Sequence, residues 1–222
     1  SALAFSFYRD PVVSRLLFER GPVSGGTSVA VQGSSFRGGS VYACRFGAQQ
    51  VNATYDGYHD ELRCNAPSAE VGEAVVEVSL NGQQFTTSGV VFEYYPEVNV
   101  SHIVPGAGPR RGGTALTIFG AGFSRGRVYR CRFGAWAPTV VVATLISDGQ
   151  LACTAPAAHC GPGSCSETVE VSLNSESYSS SGVQFHYHNA TVASLSVTSG
   201  PTSGGTVLTV HGSGFTQLAG VE

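Results

Sequence analysis

The chain has 222 residues, 42% of them apolar and only 12% charged, with a net charge of −3 and a pI near 6.0. That balance suits a buried globular core, excludes a disordered charged tail, and gives no global reason to expect nucleic acid. No apolar run reaches bilayer-spanning length, Ser1 to Asp10 lacks the signal-peptide pattern, and all twelve basic residues are arginine.

Leu3-Ala4-Phe5-Ser6-Phe7-Tyr8 resembles Val91 to Tyr95 and Gln184 to Tyr187 further on. Residues 1–10 are therefore expected to be the last strand of a preceding repeat, and the chain to be a piece of a longer protein. Gly21-Pro22-Val23-Ser24-Gly25-Gly26-Thr27 recurs as Gly108 to Thr114 and as Gly200 to Thr206. A period of about ninety residues is one small β-sandwich per repeat rather than a solenoid unit.

In the first repeat, residues 11–95, Val12 to Phe18 reads as a strand, and the Gly-Pro/Gly-Gly motif as a turn. Thr27 to Gln32 reads as a strand that places Thr27, Val29 and Val31 on one face. Val41 to Gly47 places Tyr42, Cys44 and Phe46 on one face and Arg45 on the other. Gln50 to Tyr55 and Leu62 to Ala66 read as short strands. Glu73 to Leu80 turns Val76, Val78 and Leu80 inward, with Glu73 and Glu77 off that face or at its margin. Asn81-Gly82 predicts a tight hairpin into a last strand, Phe85 to Tyr95. The second repeat, residues 96–188, keeps this order and adds a Gly- and Cys-bearing loop, Ala157 to Ser166. Residues 189–222 hold the first two strands of a further repeat. The predicted fold class is all-β, and junctions as short as Tyr95-Pro96-Glu97 predict a stiff rod.

Several motifs in this order resemble the IPT/TIG family of immunoglobulin-like domains, as found in plexin-like and fibrocystin-like extracellular arrays. They are Pro-x-x-Gly-Gly-Thr, the following Gly-x-x-Phe (Gly33 to Phe36, Gly120 to Phe123), and Cys-Arg-Phe-Gly (Cys44 to Gly47, Cys131 to Gly134). Cys64-Asn65-Ala66-Pro67 and Cys153-Thr154-Ala155-Pro156 complete the set, with the aromatic closing strand. The resemblance implies tandem β-sandwiches, no enzyme activity and no cofactor. It spans receptor and adhesion modules as well as some transcription factors, so function has to come from the residues.

Cys44 with Cys64, and Cys131 with Cys153, form two position-matched pairs. The resemblance implies a disulfide between neighbouring strands in each; two buried thiols per repeat is the alternative. Cys160 and Cys165 could close a local loop on themselves. With only His159 beside them they are two ligands short of a zinc site, and no metal is expected. Asn52, Asn99 and Asn189 head N-glycosylation sequons. Aligned on the Gly-Gly-Thr motif, Asn99 and Asn189 fall two residues apart in register, on one face of an extended segment.

Arg110, Arg111, Arg125, Arg127, Arg130 and Arg132 lie in an interval without acids. They are a candidate docking patch for an acidic partner such as a sulfated glycan, or simply a solvated face. His186 and His188 read as exposed strand residues, and Trp136 as a cap on the core or the domain edge. No Ser-His-Asp or paired-carboxylate arrangement suggests catalysis.

The expectation is a non-enzymatic structural and adhesion segment of a long extracellular or cell-surface protein, ciliary surface included. It would act as a spacer and a protein–protein assembly surface. Its partners would be other chains or neighbouring repeats, with no nucleic acid, and with membrane only through segments outside this window. The alternatives are the ectodomain stalk of a ligand-binding transmembrane receptor and a Rel-like intracellular DNA-binding module.

Overall fold

In the computed structural model, residues 5–159 and 165–215 are described. The first repeat forms β1 (Val12–Leu17), β2 (Arg20–Pro22), β3 (Ser28–Ser34), β4 (Ala43–Phe46), β5 (Gln49–Asn52), β6 (Thr54–Asp56), β7 (Glu61–Asn65), β8 (Gly72–Ser79) and β9 (Val90–Tyr95). One sheet runs β1-β3-β7-β6 and the facing one β2-β9-β8-β4-β5. Every pairing is antiparallel except β2 with β9, which is parallel and sets Arg20 opposite Glu93.

Period-two alternation builds the core, because successive side chains on a strand leave opposite faces. Val29, Val31, Leu62 and Cys64 from one sheet pack with Cys44, Phe46, Val76, Val78, Phe92 and Tyr94 from the other, all buried. Each large apolar side chain removed from water contributes about 1.5–3 kcal/mol. The Phe92 ring lies edge-on to both Phe46 (5.6 Å) and Tyr94 (4.9 Å). Phe36, which ends the Gly-x-x-Phe motif, is buried beside Gly33; a β-carbon on Gly33 would collide with its ring and with the Val12 carbonyl.

The predicted first strand, Val12 to Phe18, forms β1 and ends at Phe18, whose φ is 61°. Gly21-Pro22, read as part of a turn, lies instead in β2, which belongs to the opposite sheet. The predicted Gln50 to Tyr55 strand is divided at Ala53, whose amide bonds the Tyr42 carbonyl; β5 stays in one sheet and β6 joins the other. Nor is Asn81-Gly82 a tight hairpin. The Asn81 side-chain carbonyl accepts from the amides of Gln83 and Gln84 (3.0 and 3.1 Å), the Thr86 amide bonds the Val78 carbonyl, and β9 begins only at Val90. Glu77 is buried rather than marginal. Its carboxylate accepts from the Thr86 hydroxyl and from the amides of Ser88 (3.2 Å) and Gly89 (3.4 Å), which ties down that crossing loop.

The second repeat reproduces the plan with β10 (Asn99–Val104), β11 (Ala107–Pro109), β12 (Ala115–Ala121), β13 (Arg130–Phe133), β14 (Thr139–Val142), β15 (Thr144–Ser147), β16 (Gln150–Thr154), β17 (Cys165–Ser172) and β18 (Gln184–His188). A single 3-10 turn covers Phe123–Arg125. The sheets run β10-β12-β16-β15 and β11-β18-β17-β13-β14. Glu170 repeats the buried carboxylate, accepting from the amides of Ser181 (2.9 Å) and Gly182 (2.8 Å). The partial third repeat supplies an antiparallel pair, β19 (Thr191–Leu195) and β20 (Val210–Ser213).

Two compact units result. One comprises Ser1–Asn99 with Gly122–Tyr129 and Ser172–Ser179, and the other Val100–Ala121, Arg130–Val171 and Ser180–Glu222.

Candidate functional site

Cys44 and Cys64 are disulfide-bonded, with their α-carbons 6.6 Å apart. Cys44 lies on β4 and Cys64 on β7, in facing sheets, so the bond crosses the sandwich instead of joining neighbouring strands. The strand alternation that points both side chains into the core makes this crossing possible. Cys131 and Cys153, on the corresponding β13 and β16, differ from the expected bond: both are buried thiols. A hydrogen bond with Cys153, together with burial, pushes the Cys131 thiol far above its ordinary range. Cys165 is disulfide-bonded, and its sulfur also accepts from Arg110 Nη1 (3.4 Å); Cys160 lies outside the described residues.

The three sequon asparagines are exposed: Asn52 at the end of β5, Asn99 at the start of β10 and Asn189 just before β19. The six arginines do not share one compact unit. Arg125 and Arg127 fall in the first, and Arg110, Arg111, Arg130 and Arg132 in the second. Arg127 lies 3.7 Å from Glu19, where both side chains are mostly exposed and the pair contributes little.

Within the first unit a polar cluster surrounds the opening motif. Arg20 ion-pairs with Glu93 (3.0 Å) and donates from Nη1 to the Arg125 carbonyl (2.9 Å). Asn174 donates from Nδ2 to the Arg20 carbonyl (2.9 Å), and the hydroxyls of Thr27 and Ser177 lie 2.8 Å apart. Asn174 is buried, and its side-chain carbonyl accepts from the amides of Glu176 and Ser177 (3.0 and 2.8 Å). Sequence reasoning passed over this residue, although Asn81 at the corresponding place already holds a loop in the same way.

Asp56, His59 and Glu61 converge on the first unit, but Arg63 already supplies positive charge there. It lies 2.6 Å from Glu61 and 3.7 Å from Asp56, while His59 Nδ1 lies 2.8 Å from Asp56. The His59 hydrogen bond and the Tyr58 amide hold the Asp56 carboxyl below its usual range. This is a network of ion pairs around an arginine.

His186 is exposed with Nδ1 2.7 Å from the Ser166 hydroxyl, and His188 Nδ1 lies 3.0 Å from the Gly108 carbonyl. Trp136 caps nothing and is fully exposed. The loop from Gly134 that carries it turns away from β13 into solvent.

The IPT/TIG domain model matches residues 11–94 and 99–187. Plexin A3 of Danio rerio is 29% identical over 159 residues, covering 70% of this chain and 8% of its own length. Plexin-A2 of Mus musculus is 32% identical over 151 residues, covering 66% of this chain and again 8% of its own length. The chain thus spans less than a tenth of these relatives. The solved structure of the full extracellular region of plexin A4 superposes with a TM-score of 0.61 at 20% identity, over 87% of this chain and 18% of that one. Two sandwiches of one topology, each opened by Gly-Pro-x-x-Gly-Gly-Thr, and a family match to both of them place the chain in the IPT/TIG domain family.

Proposed function

We propose that the chain is a non-enzymatic segment of the extracellular region of a cell-surface receptor, a stalk that spaces and orients the domains on either side of it. The observation that carries this reading is the tandem of IPT/TIG sandwiches with sequence similarity to plexins. The cross-sandwich Cys44–Cys64 bond supports an oxidising compartment, and the exposure of Asn52, Asn99 and Asn189 supports glycan attachment. Its partners are then neighbouring domains of the same protein and other proteins.

A second reading, an adhesive surface that joins chains laterally, draws support from β14. This strand ends its sheet and carries exposed Val140 and Val142.

Peptide mass mapping of natively isolated, unreduced protein tests the first reading. Linked Cys44 and Cys64 peptides with glycan mass on any of the three asparagines are expected. A reduced pair with three bare asparagines would remove the extracellular assignment. Sedimentation of the intact protein across concentration tests the second, which needs self-association that Val142→Lys abolishes.

A further inference from the structure

At one end of the second sandwich, Trp136 and Glu167 line a common cleft of about 390 Å³, together with His159, Ser166, Thr168 and Gln184. Glu167 sits on β17 at an inward-facing position, between the exposed Ser166 and the partly buried Thr168. The corresponding place on β8 holds Ala74, an ordinary residue for the margin of a core. The second repeat therefore carries a carboxylate where its neighbour carries a methyl group.

That carboxylate is 9% exposed. Its Oε1 accepts from the His159 amide (3.1 Å), while Oε2 is buried without a hydrogen-bond partner among the described residues. A buried oxygen of this kind costs stability unless a donor meets it, and a cationic donor offsets that cost best. Gly134, at a φ of 83°, lies against Oε2: a β-carbon there would stand 3.7 Å away. The turn at Gly134 then sends the chain out to Trp136, whose side chain is 100% exposed. An indole left wholly in water beside a carboxylate oxygen that lacks a donor among the described residues pairs two features that one ligand group satisfies together.

We propose that this cleft binds an arginine side chain presented by a partner protein, the guanidinium donating to Glu167 Oε2 and lying over the Trp136 ring. A guanidinium is planar and weakly hydrated, donates in a fixed fork, and is the cation that stacks best on indole. The hydroxyls of a sugar would use the aromatic face but bring no charge to the carboxylate. The site is a property of a single sandwich and stands whether or not the array is secreted.

Trp136 is the single tryptophan of the chain, so its emission reports on this cleft alone. The 222-residue chain is titrated with N-acetyl-arginine amide, with the neutral near-isostere N-acetyl-citrulline amide, and with cellobiose. A saturable change with the arginine probe is expected, with binding at least about tenfold weaker for the citrulline probe and for the Glu167→Gln variant. Equal response to arginine and citrulline, a saturable response to cellobiose in place of arginine, or no saturable response to any probe would overturn the assignment. The probe comparison needs only the unaltered chain, so it decides the matter even if Glu167→Gln folds poorly.

Discussion

The side chain of Thr27 occupies the place where a β-carbon on Gly21 would stand, and the same relation holds between Gly108 and Thr114 and between Gly200 and Thr206. The repeated Gly-Pro-x-x-Gly-Gly-Thr is thus a packing unit, in which the last residue closes over the first. Its glycines serve different ends. Gly21 has no room, since a β-carbon there would also stand 2.8 Å from the Phe92 ring. Gly26 has open space but a φ of 79°, and Gly25 has both the positive φ and the Pro67 backbone against it.

Alanine substitutions should separate these causes in urea denaturation. Gly21→Ala is expected to cost about 1–3 kcal/mol by overpacking, and Gly26→Ala about 1–2 kcal/mol through the left-handed backbone alone. Gly25→Ala, carrying both penalties, should be the worst of the three. If Gly25→Ala and Gly26→Ala came out equal, the close approach to Pro67 would have no energetic weight.

The buried carboxylate of Glu77 holds the loop between β8 and β9 through one hydroxyl and two amides. Removing it leaves buried donors without an acceptor, at about 1–3 kcal/mol for each one that water cannot reach. Glu77→Ala should therefore destabilise the first repeat and speed hydrogen exchange at the Ser88 and Gly89 amides. Glu170→Ala should do the same at Ser181 and Gly182. Unchanged protection at those amides would mean that the loop is held by other contacts.

The all-β class, the repeat and most of the core were legible because alternation and turn glycines act locally. Ala30 and Ala43 apart, the apolar residues buried on β3, β4, β7 and β8 are those that the period-two pattern turns inward. What escaped depends on the opposite sheet. Nothing in Gln50 to Tyr55 signals that its two halves pair with different partners, since Ala53 breaks the run only because its amide is taken by Tyr42. Asn81-Gly82 carries a hairpin signature, yet the Asn81 side chain spends its carbonyl on two amides and lengthens the loop. Glu77 looked marginal because its cover arrives from residues 86–89. A signal was present all the same, as Glu170 repeats that acid at the corresponding place, and a repeated carboxylate within an apolar strand points to a fixed partner. Trp136 was misplaced for the converse reason: composition favours burying an indole, and only the turn at Gly134 sends it outward.

Tyr94 and Tyr187 hold corresponding places and differ in one bond. The Tyr187 hydroxyl donates to the Pro156 carbonyl (3.0 Å), whereas the Tyr94 hydroxyl is buried with no partner among the described residues. Tyr94→Phe is expected to leave stability unchanged or raise it by about 1 kcal/mol, while Tyr187→Phe lowers it by about as much. Burial also pushes the Tyr94 phenol up from 10.0 to about 12. A phenol that holds its proton more tightly when folded contributes stability that is fully present below about pH 10 and is lost as pH rises towards 12. The difference in stability between wild type and Tyr94→Phe should therefore shift in favour of the variant across that window. A pH-independent difference would show that Tyr94 ionises equally in both states.

The two cysteine pairs occupy matching strands but hold different chemistry, a bond at Cys44–Cys64 and a pair of hydrogen-bonded thiols at Cys131 and Cys153. Closing a loop of about twenty residues contributes about 3 kcal/mol, so Cys44→Ala with Cys64→Ala should lower the stability of the first repeat by that amount. The thiols of the second repeat should be inert in the native state, because the Cys153 contact and burial disfavour the Cys131 thiolate that alkylation and exchange require. Iodoacetamide should label them only at the rate at which the sandwich opens. Their contact nevertheless places them for oxidation. With glutathione disulfide as acceptor, two thiols lose two protons and two electrons, one S–S bond forms, and two molecules of glutathione are released. Refolding from urea in glutathione disulfide should give linked Cys131 and Cys153 peptides and raise the stability of the second repeat. Refolded protein that still carried both thiols would show the second sandwich to be built around the reduced pair.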